Sequence, residues 1–207
     1  LRWITMSGLK VLLITTLPLA GFYVMFAADF VRLFLGPEFE GAGLAVQILA
    51  PAVVLAAVNG LLQALLRANG RQQYDLFCML GALAVNFGAN LVLIPRLGYV
   101  GPAVGVLVAQ VVQLSLALGG TLSIFRRVPP RALIAPFLSS LAMLGVWWIT
   151  ASLRILIRIP VGVLVYGVVL YWLGGIDKGV VQVLRTAVSR RAGSTSDTLH
   201  DGDSARD

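Results

Sequence analysis

The chain has 207 residues, 58% of them hydrophobic, and its sixteen Lys and Arg against nine Asp and Glu give a net charge of +7. In a soluble protein this basic balance would suggest a nucleic-acid partner. A mean hydropathy of +0.90 favours lipid instead, and we expect no nucleic acid. The single cysteine, Cys78, allows no internal disulfide, and the single histidine, His200, has no ligand-spaced companion. We therefore expect neither a metal nor another cofactor.

Six stretches of the chain contain no charged residue and are long enough to cross a bilayer as helices. A helix needs about 20 mainly apolar residues to span the hydrocarbon core, and these stretches have 18, 26, 20, 29, 22 and 18 residues. They are residues 11–28, 41–66, 76–95, 97–125, 132–153 and 159–176. The sequence therefore predicts an all-α fold, a polytopic membrane bundle of six transmembrane helices.

The basic residues are sorted by loop, and this sorting predicts the orientation of the chain. Twelve of the sixteen precede the first span, follow the sixth, or lie in the second-to-third and fourth-to-fifth connections. The connections on the opposite side hold only four, which are Arg32, Arg96, Arg154 and Arg158. By the positive-inside rule we expect both ends of the chain to be cytoplasmic.

Chain breakers and composition predict where the elements end. Asn69 and Gly70 suit the end of the second helix, because glycine adopts a left-handed conformation at no steric cost. Pro18 and Pro51 fall inside the first two spans, where each removes a backbone hydrogen bond that a neighbouring helix can compensate. Residues 177–191 have the pattern of a short amphipathic helix on the membrane surface or of a frayed helix end, and residues 192–207 should be disordered.

Polar residues inside the predicted spans are the candidate functional residues. In the second span they are Asn59 and Gln63, in the third Asn86 and Asn90, and in the fourth Gln110 and Gln113. Residues at positions i and i+4 share a helix face. The second and third helices therefore each carry a polar stripe, which should point into protein or into a water-filled cavity. The alternative is plain hydrogen bonding between helices.

Two arginines lie just beyond the polar stripe of the second span, at the predicted cytoplasmic end of that span. Arg67 and Arg71 could attract an anionic group at the mouth of a cavity, or they are loop arginines that only obey the positive-inside rule. Asp75 is expected to pair with Arg71, and a site for a coupling ion is the alternative. The sequence has no Walker loop, no HExxH motif and no Ser, His and Asp set, so we expect no enzymatic activity.

Several short motifs occur in order on successive spans. They are residues 33–39 (LFLGPEF), 66–70 (LRANG), Asn86, Asn90, 93–98 (LIPRLG) and 101–103 (GPA). Together they resemble the C-terminal half of bacterial polysaccharide flippases of the Wzx type, in the MATE/MOP superfamily that also holds the lipid II flippases. The resemblance covers residues 1 to about 191. Its most specific stretch is N-x3-N-x2-LIP-x-LG-x2-G.

The resemblance implies a transporter of two helical lobes that moves a polyprenyl-pyrophosphate-linked oligosaccharide across the bacterial cytoplasmic membrane. Residues 1–125 would then be the four-helix part of the second lobe, 126–176 an appended transmembrane helix pair, and 177–207 a cytoplasmic amphipathic segment and tail. The partners would be the bilayer, the lipid-linked oligosaccharide and an N-terminal lobe of the same protein. The six polar residues named above, with Arg67 and Arg71, would line the substrate pathway.

Two other functions fit the same pattern of spans and polar residues. A MATE-like exporter of small molecules would use a similar bundle. A non-catalytic membrane scaffold would need the polar residues only for helix packing. Basic residues inside the spans of the upstream lobe would favour an anionic lipid-linked substrate, whereas acidic residues would favour cation antiport.

Overall fold

The computed structural model describes residues 2–125, 131–150 and 155–174. All regular structure in these ranges is helical, as the sequence predicts. The elements are α1 Arg2–Phe34, a short 3₁₀ helix Pro37–Ala42, α2 Gly43–Ala68, α3 Gln72–Leu97, α4 Val100–Phe125, α5 Arg131–Ile149 and α6 Ile155–Trp172. The predicted amphipathic segment and tail, residues 177–207, lie outside the described residues.

The helices have the length and composition of membrane-embedded segments. Helices α1 to α4 are long and apolar enough to cross a membrane, and α5 and α6 are shorter apolar helices. The outer face of α3 carries large apolar side chains that are more than half exposed, which are Leu76, Phe77, Leu80, Leu83, Phe87 and Leu91. Such a surface suits lipid and would be unfavourable in water. The chain is therefore a membrane-embedded helical bundle.

The first helix extends well beyond its uncharged stretch, and a short helix precedes the second. Helix α1 begins at Arg2 and includes Lys10, although the uncharged stretch starts at residue 11. Lys and Arg are good helix formers, and their long side chains reach the interface from a buried backbone. Gly36, with φ of 99°, turns the chain out of α1, and Pro37 opens the 3₁₀ helix. The uncharged stretches of the sequence do not predict this element.

The helices do not pack in chain order. Helix α1 packs against α2 and α5, α2 also against α4, α4 against α3, and α5 against α6. The spatial order is therefore α3, α4, α2, α1, α5, α6. One core cluster lies among α2, α3 and α4 and is formed by Leu62, Leu65, Cys78 and Ala117. The other lies among α1, α5 and α6 and is formed by Phe26, Met143, Trp147, Tyr166 and Leu170.

The turn between α2 and α3 confirms the predicted helix end. Helix α2 ends at Ala68, and the Nδ2 of Asn69 donates to the Leu65 carbonyl at 2.8 Å. Gly70 has a φ of 72°, and the Arg71 N–H donates back to the Leu66 carbonyl at 2.9 Å. These bonds satisfy carbonyls that a helix end leaves without partners. The tight turn brings the last turn of α2 beside the first turn of α3.

The proline inside α1 has the compensating partner that sequence analysis requires. Pro18 has no N–H, so the carbonyl four residues earlier, at Ile14, loses its helical hydrogen bond. The hydroxyl of Tyr166 on α6 donates to this carbonyl at 2.9 Å. A buried side chain from the far end of the sequence therefore stabilises the break in the first helix.

Candidate functional site

Two of the predicted residues form a hydrogen-bonded pair near the middle of the bundle. The Nδ2 of Asn59 on α2 donates to the backbone carbonyl of Gln110 on α4 at 3.0 Å and to its Oε1 at 2.7 Å. Asn59 is only 1% exposed. Gln113, one turn further along α4, is also buried. An amide pair thus crosses the α2–α4 interface among apolar neighbours.

The polar stripe of α2 continues toward the α2–α3 turn. Gln63 lies one turn beyond Asn59, and Arg67 one turn beyond Gln63. Arg67 donates from Nε to the Gln63 carbonyl and from Nη2 to the Gln63 Oε1, both at 3.3 Å. The predicted stripe therefore exists as a chain of side chains along one helix face.

Arg67 also pairs with an acidic residue of α3. Its Nε lies 3.2 Å from the Oδ2 of Asp75, whose side chain is 6% exposed, while the Arg67 side chain is 56% exposed. A buried carboxylate needs such a partner, because desolvation of an isolated charge is costly.

The prediction that Asp75 pairs with Arg71 is wrong. Arg71 is the N-cap of α3 and has non-helical backbone angles, with φ of −93° and ψ of 45°. Its side chain therefore does not follow the α3 face that holds Asp75. Instead, its Nη1 donates to the Gly120 carbonyl of α4 at 3.0 Å. Arg71 thus ties the α2–α3 turn to the end of α4.

Tyr74 strengthens the same junction, and sequence analysis missed it. Its hydroxyl donates to the Leu116 carbonyl at 2.8 Å. Its ring packs where Gly120 has no side chain, since a Cβ there would lie 2.5 Å from the Tyr74 Cε1. The pair Gly119-Gly120 near the end of an apolar span was the signal in the sequence, because adjacent glycines permit close approach.

The polar stripe of α3 faces α4. The Nδ2 of Asn90 donates to the Oδ1 of Asn86 at 3.1 Å. Asn90 fits against Gly105 of α4, where a Cβ would lie 2.5 Å from the Asn90 Oδ1. The two asparagines therefore support each other in a narrow space between helices.

Three buried side-chain oxygens in the described part of the chain have no hydrogen-bond partner. They are the Oδ1 atoms of Asn59, Asp75 and Asn90. Buried polar groups are usually satisfied, and an exception in a membrane-embedded bundle calls for a functional explanation. All three belong to the polar stripes or to the carboxylate that the stripe of α2 contacts. The buried acceptors that could still accept a hydrogen bond are thus on α2 and α3.

An apolar groove lies along the first half of α2, before the polar stripe. Two adjoining cavities of about 660 and 540 Å³ lie between α2 and α5, with α1 as their floor. They share Leu17, Val54, Phe137 and Leu141. The lining is almost entirely hydrocarbon, apart from Gln47 and Ser140. The groove can hold a hydrocarbon chain, because it offers such a chain dispersion contacts and no unsatisfied polar group.

The described residues contain no group of three or more His, Cys, Asp or Glu that could hold a metal ion. The polar side chains of this site that could interact with a ligand are thus amides, two guanidiniums and one carboxylate. Such a set can donate and accept hydrogen bonds and can attract an anion. No protein-family model, curated protein or solved structure matches the chain.

Proposed function

We propose that this chain is the C-terminal part of a flippase of the Wzx type, which moves a polyprenyl-pyrophosphate-linked oligosaccharide across the bacterial cytoplasmic membrane. The observation that carries the proposal is the set of buried oxygens without partners on α2 and α3. Sugar hydroxyls both donate and accept hydrogen bonds, so they match amide groups that retain bonding capacity. The glycan would be supplied for polysaccharide biosynthesis.

A polar stripe in the second half of α2 and an apolar groove along its first half together support an amphipathic substrate. A glycan cannot enter hydrocarbon without substitute partners for its lost water. The amides Asn59, Gln63, Asn86 and Asn90 would supply them, aided by Gln110 and Gln113. The polyprenyl tail would remain in lipid or in the groove.

The diphosphate of the substrate would be attracted by the arginines at the α2–α3 turn. Arg67 uses its Nε for Asp75 and one Nη2 hydrogen for Gln63, but its side chain is more than half exposed. Its remaining Nη hydrogens can therefore still reach an anion. Arg71 is anchored to α4 through one nitrogen only. These two cations would hold the substrate at the cytoplasmic mouth before it moves inward.

The proposal includes six transmembrane helices with both ends of the chain in the cytoplasm. It rests on the twelve basic residues that the positive-inside rule assigns to one side. Labelling of single cysteines introduced near Arg71 and near Arg96 should place them on opposite faces of the membrane. Labelling of both positions from the same face would contradict this topology.

A membrane scaffold is the second candidate function. It is favoured by the Asn59–Gln110 pair, because both Nδ2 hydrogens of Asn59 are already used for helix packing. In a scaffold the remaining polar groups would serve the same purpose, and no substrate would be required. The two candidate functions predict different effects on glycan export when Asn86 and Asn90 of α3 are replaced.

The test replaces both asparagines of α3, Asn86→Leu with Asn90→Leu, in the complete gene expressed in a host that lacks its own flippase. We expect normal insertion and protein level but loss of glycan export, because leucines offer the headgroup no partners. The matched control is Phe87→Leu, a neighbouring residue that is 65% exposed on the lipid side. Normal export by the double variant at normal protein level would favour the scaffold.

A further inference from the structure

Helices α5 and α6 are joined at one end by a reciprocal pair of hydrogen bonds. The Nε of Arg158 donates to the Trp147 carbonyl at 2.8 Å, and the indole Nε1 of Trp147 donates to the Arg158 carbonyl at 2.9 Å. The Cζ of Arg158 lies 4.9 Å from the centroid of the Phe26 ring on α1. Three helices thus hold one guanidinium in place.

The surroundings of this guanidinium are rigid. Trp147 is 1% exposed, and its ring meets that of Phe26 edge to face, with centroids 5.0 Å apart. Gly162 permits this arrangement, since a Cβ there would overlap the Trp147 indole. A guanidinium fixed by a hydrogen bond and by an aromatic ring loses little entropy when it binds a ligand.

In the part of the chain that the structure describes, the outer edge of Arg158 has no partner. Among the residues that the structure describes, neither Nη1 nor Nη2 donates a hydrogen bond, and no carboxylate lies within 4 Å of the side chain. Asp29 is one turn from Phe26 on α1, but it is exposed and makes no ion pair with Arg158. An arginine in a transmembrane helix requires a counter-ion or water. Two parallel N–H groups therefore remain for an anion.

Arg158 lies near one end of α6, where a membrane interface is expected for an embedded helix pair. It is the fourth residue of α6, about 5 Å along the axis from the first and about 21 Å from Trp172 at the other end. Trp148 at the end of α5 is 76% exposed, and Trp172 is 85% exposed. Exposed tryptophans mark the two interfaces of a membrane helix pair. The phosphates of lipid headgroups lie at this level.

We propose that Arg158 binds the phosphodiester of a phospholipid headgroup at the corner of α1, α5 and α6. Its paired Nη groups match two phosphate oxygens, a geometry that arginine offers and lysine does not. The binding would fix a lipid against the α5–α6 pair and neutralise the charge. It requires only that the helices are embedded in a membrane, so it is independent of the flippase proposal.

The test measures lipid retention by the purified full chain in detergent, with native mass spectrometry. The probes are phosphatidylglycerol and a diacylglycerol with the same acyl chains but no phosphate. We expect the wild type to retain phosphatidylglycerol preferentially and Arg158→Gln to bind it about tenfold more weakly. Equal retention of the two lipids by the wild type would overturn the proposal without any variant.

Two further variants separate the guanidinium from general charge and from fold. Arg158→Lys keeps the charge but loses the two parallel Nη groups, so it should also bind phosphatidylglycerol more weakly. This variant replaces Arg158→Gln in the test if the Gln variant does not fold. Arg96→Gln removes an exposed arginine from the end of α3 and should leave retention unchanged. Equal losses from Arg96→Gln and Arg158→Gln would mean non-specific attraction and would overturn the proposal.

Inorganic phosphate distinguishes a lipid site from a free-anion site. An excess of phosphate in the absence of added lipid is expected not to raise the thermal stability of the wild type. Phosphatidylglycerol should raise it, and the rise should depend on Arg158. The same Arg158-dependent rise with phosphate alone would identify a site for a free anion and would overturn the lipid proposal.

Discussion

Helices α1, α5 and α6 surround bulky aromatic side chains, whereas α2, α3 and α4 surround smaller ones and are crossed by amides. In the first group, which we call the aromatic half, Phe26, Trp147 and Tyr166 meet in one cluster. Their polar atoms are used, since the Trp147 indole and the Tyr166 hydroxyl each donate to a backbone carbonyl. In the second group, the polar half, buried oxygens without partners remain on Asn59 and Asn90.

The two halves differ in function: the aromatic half fixes the arrangement of its helices, and the polar half keeps polar atoms that are free to form hydrogen bonds. Aromatic side chains offer large contact areas with few rotatable bonds, so they stabilise one arrangement of helices. Amides in a membrane cost free energy when they are incompletely paired, so a bundle selected only for stability would not keep them. The aromatic half therefore suits a rigid support, and the polar half suits groups that interact with something beyond the chain.

The largest effect is expected from Trp147→Ala, which tests whether the aromatic half is the rigid one. It should lower the free energy of unfolding by about 3 to 5 kcal/mol, because it leaves a cavity in the core and removes the contact with Phe26. Thermal unfolding in detergent measures the loss. Trp148→Ala, at a neighbouring residue that is 76% exposed, is the control and should change stability by under about 0.5 kcal/mol. Similar losses for both variants would contradict the comparison.

The helices of this chain could be predicted from local sequence because hydropathy and charge act locally. The uncharged stretches correspond to α1 through α6 with shifted ends, and Gly70 closes α2 as its preference for a left-handed backbone predicts. The ends shift because an apolar stretch stops at the first charge while the helix continues, as at Lys10 in α1. The membrane-embedded nature of the chain followed from the same local property.

The partners of the polar residues could not be predicted, because they depend on the spatial order of the helices. That order places α4 between α2 and α3, which brings Gln110 to Asn59 and Gly105 to Asn90. Arg71 is four residues from Asp75 in sequence and Arg67 is eight, but the turn geometry brings the more distant Arg67 to the carboxylate. Arg158 was counted as a loop charge, although it lies within α6.

A medium effect is expected from Gly105→Ala, which probes the polar half. The added Cβ would lie 2.5 Å from the Asn90 Oδ1, so the asparagine must move or the helices must separate. We expect a loss of about 1 to 3 kcal/mol in thermal unfolding experiments. Gly60→Ala on α2 is the control, since its Cβ would meet nothing within 4 Å.

Combining Gly105→Ala with Asn90→Ala should recover most of the lost stability, because the truncated side chain leaves room for the new methyl group. A double variant that is as unstable as Gly105→Ala alone would show that the clash lies elsewhere. Recovery of stability without recovery of glycan export would separate the packing role of Asn90 from its proposed role toward substrate.

The smallest effect is expected from Tyr166→Phe, which removes a single hydrogen bond from the aromatic half. The ring stays in the core, but the Ile14 carbonyl that Pro18 deprives of its helical partner becomes unpaired. Such a bond contributes about 1 kcal/mol in a membrane protein, which thermal unfolding can detect. Tyr171→Phe, at a residue that is 73% exposed, is the control.

The loss of stability caused by Tyr166→Phe should depend on whether residue 18 is proline. This dependence can be tested even though the loss itself is small. In a Pro18→Ala background the residue at position 18 regains its N–H and can donate to Ile14, so losing the Tyr166 hydroxyl should cost less. A cost that is the same in both backgrounds would mean that the hydroxyl does not compensate the proline. The aromatic half would then hold α6 against α1 by ring packing, without a contribution from the Tyr166 hydroxyl.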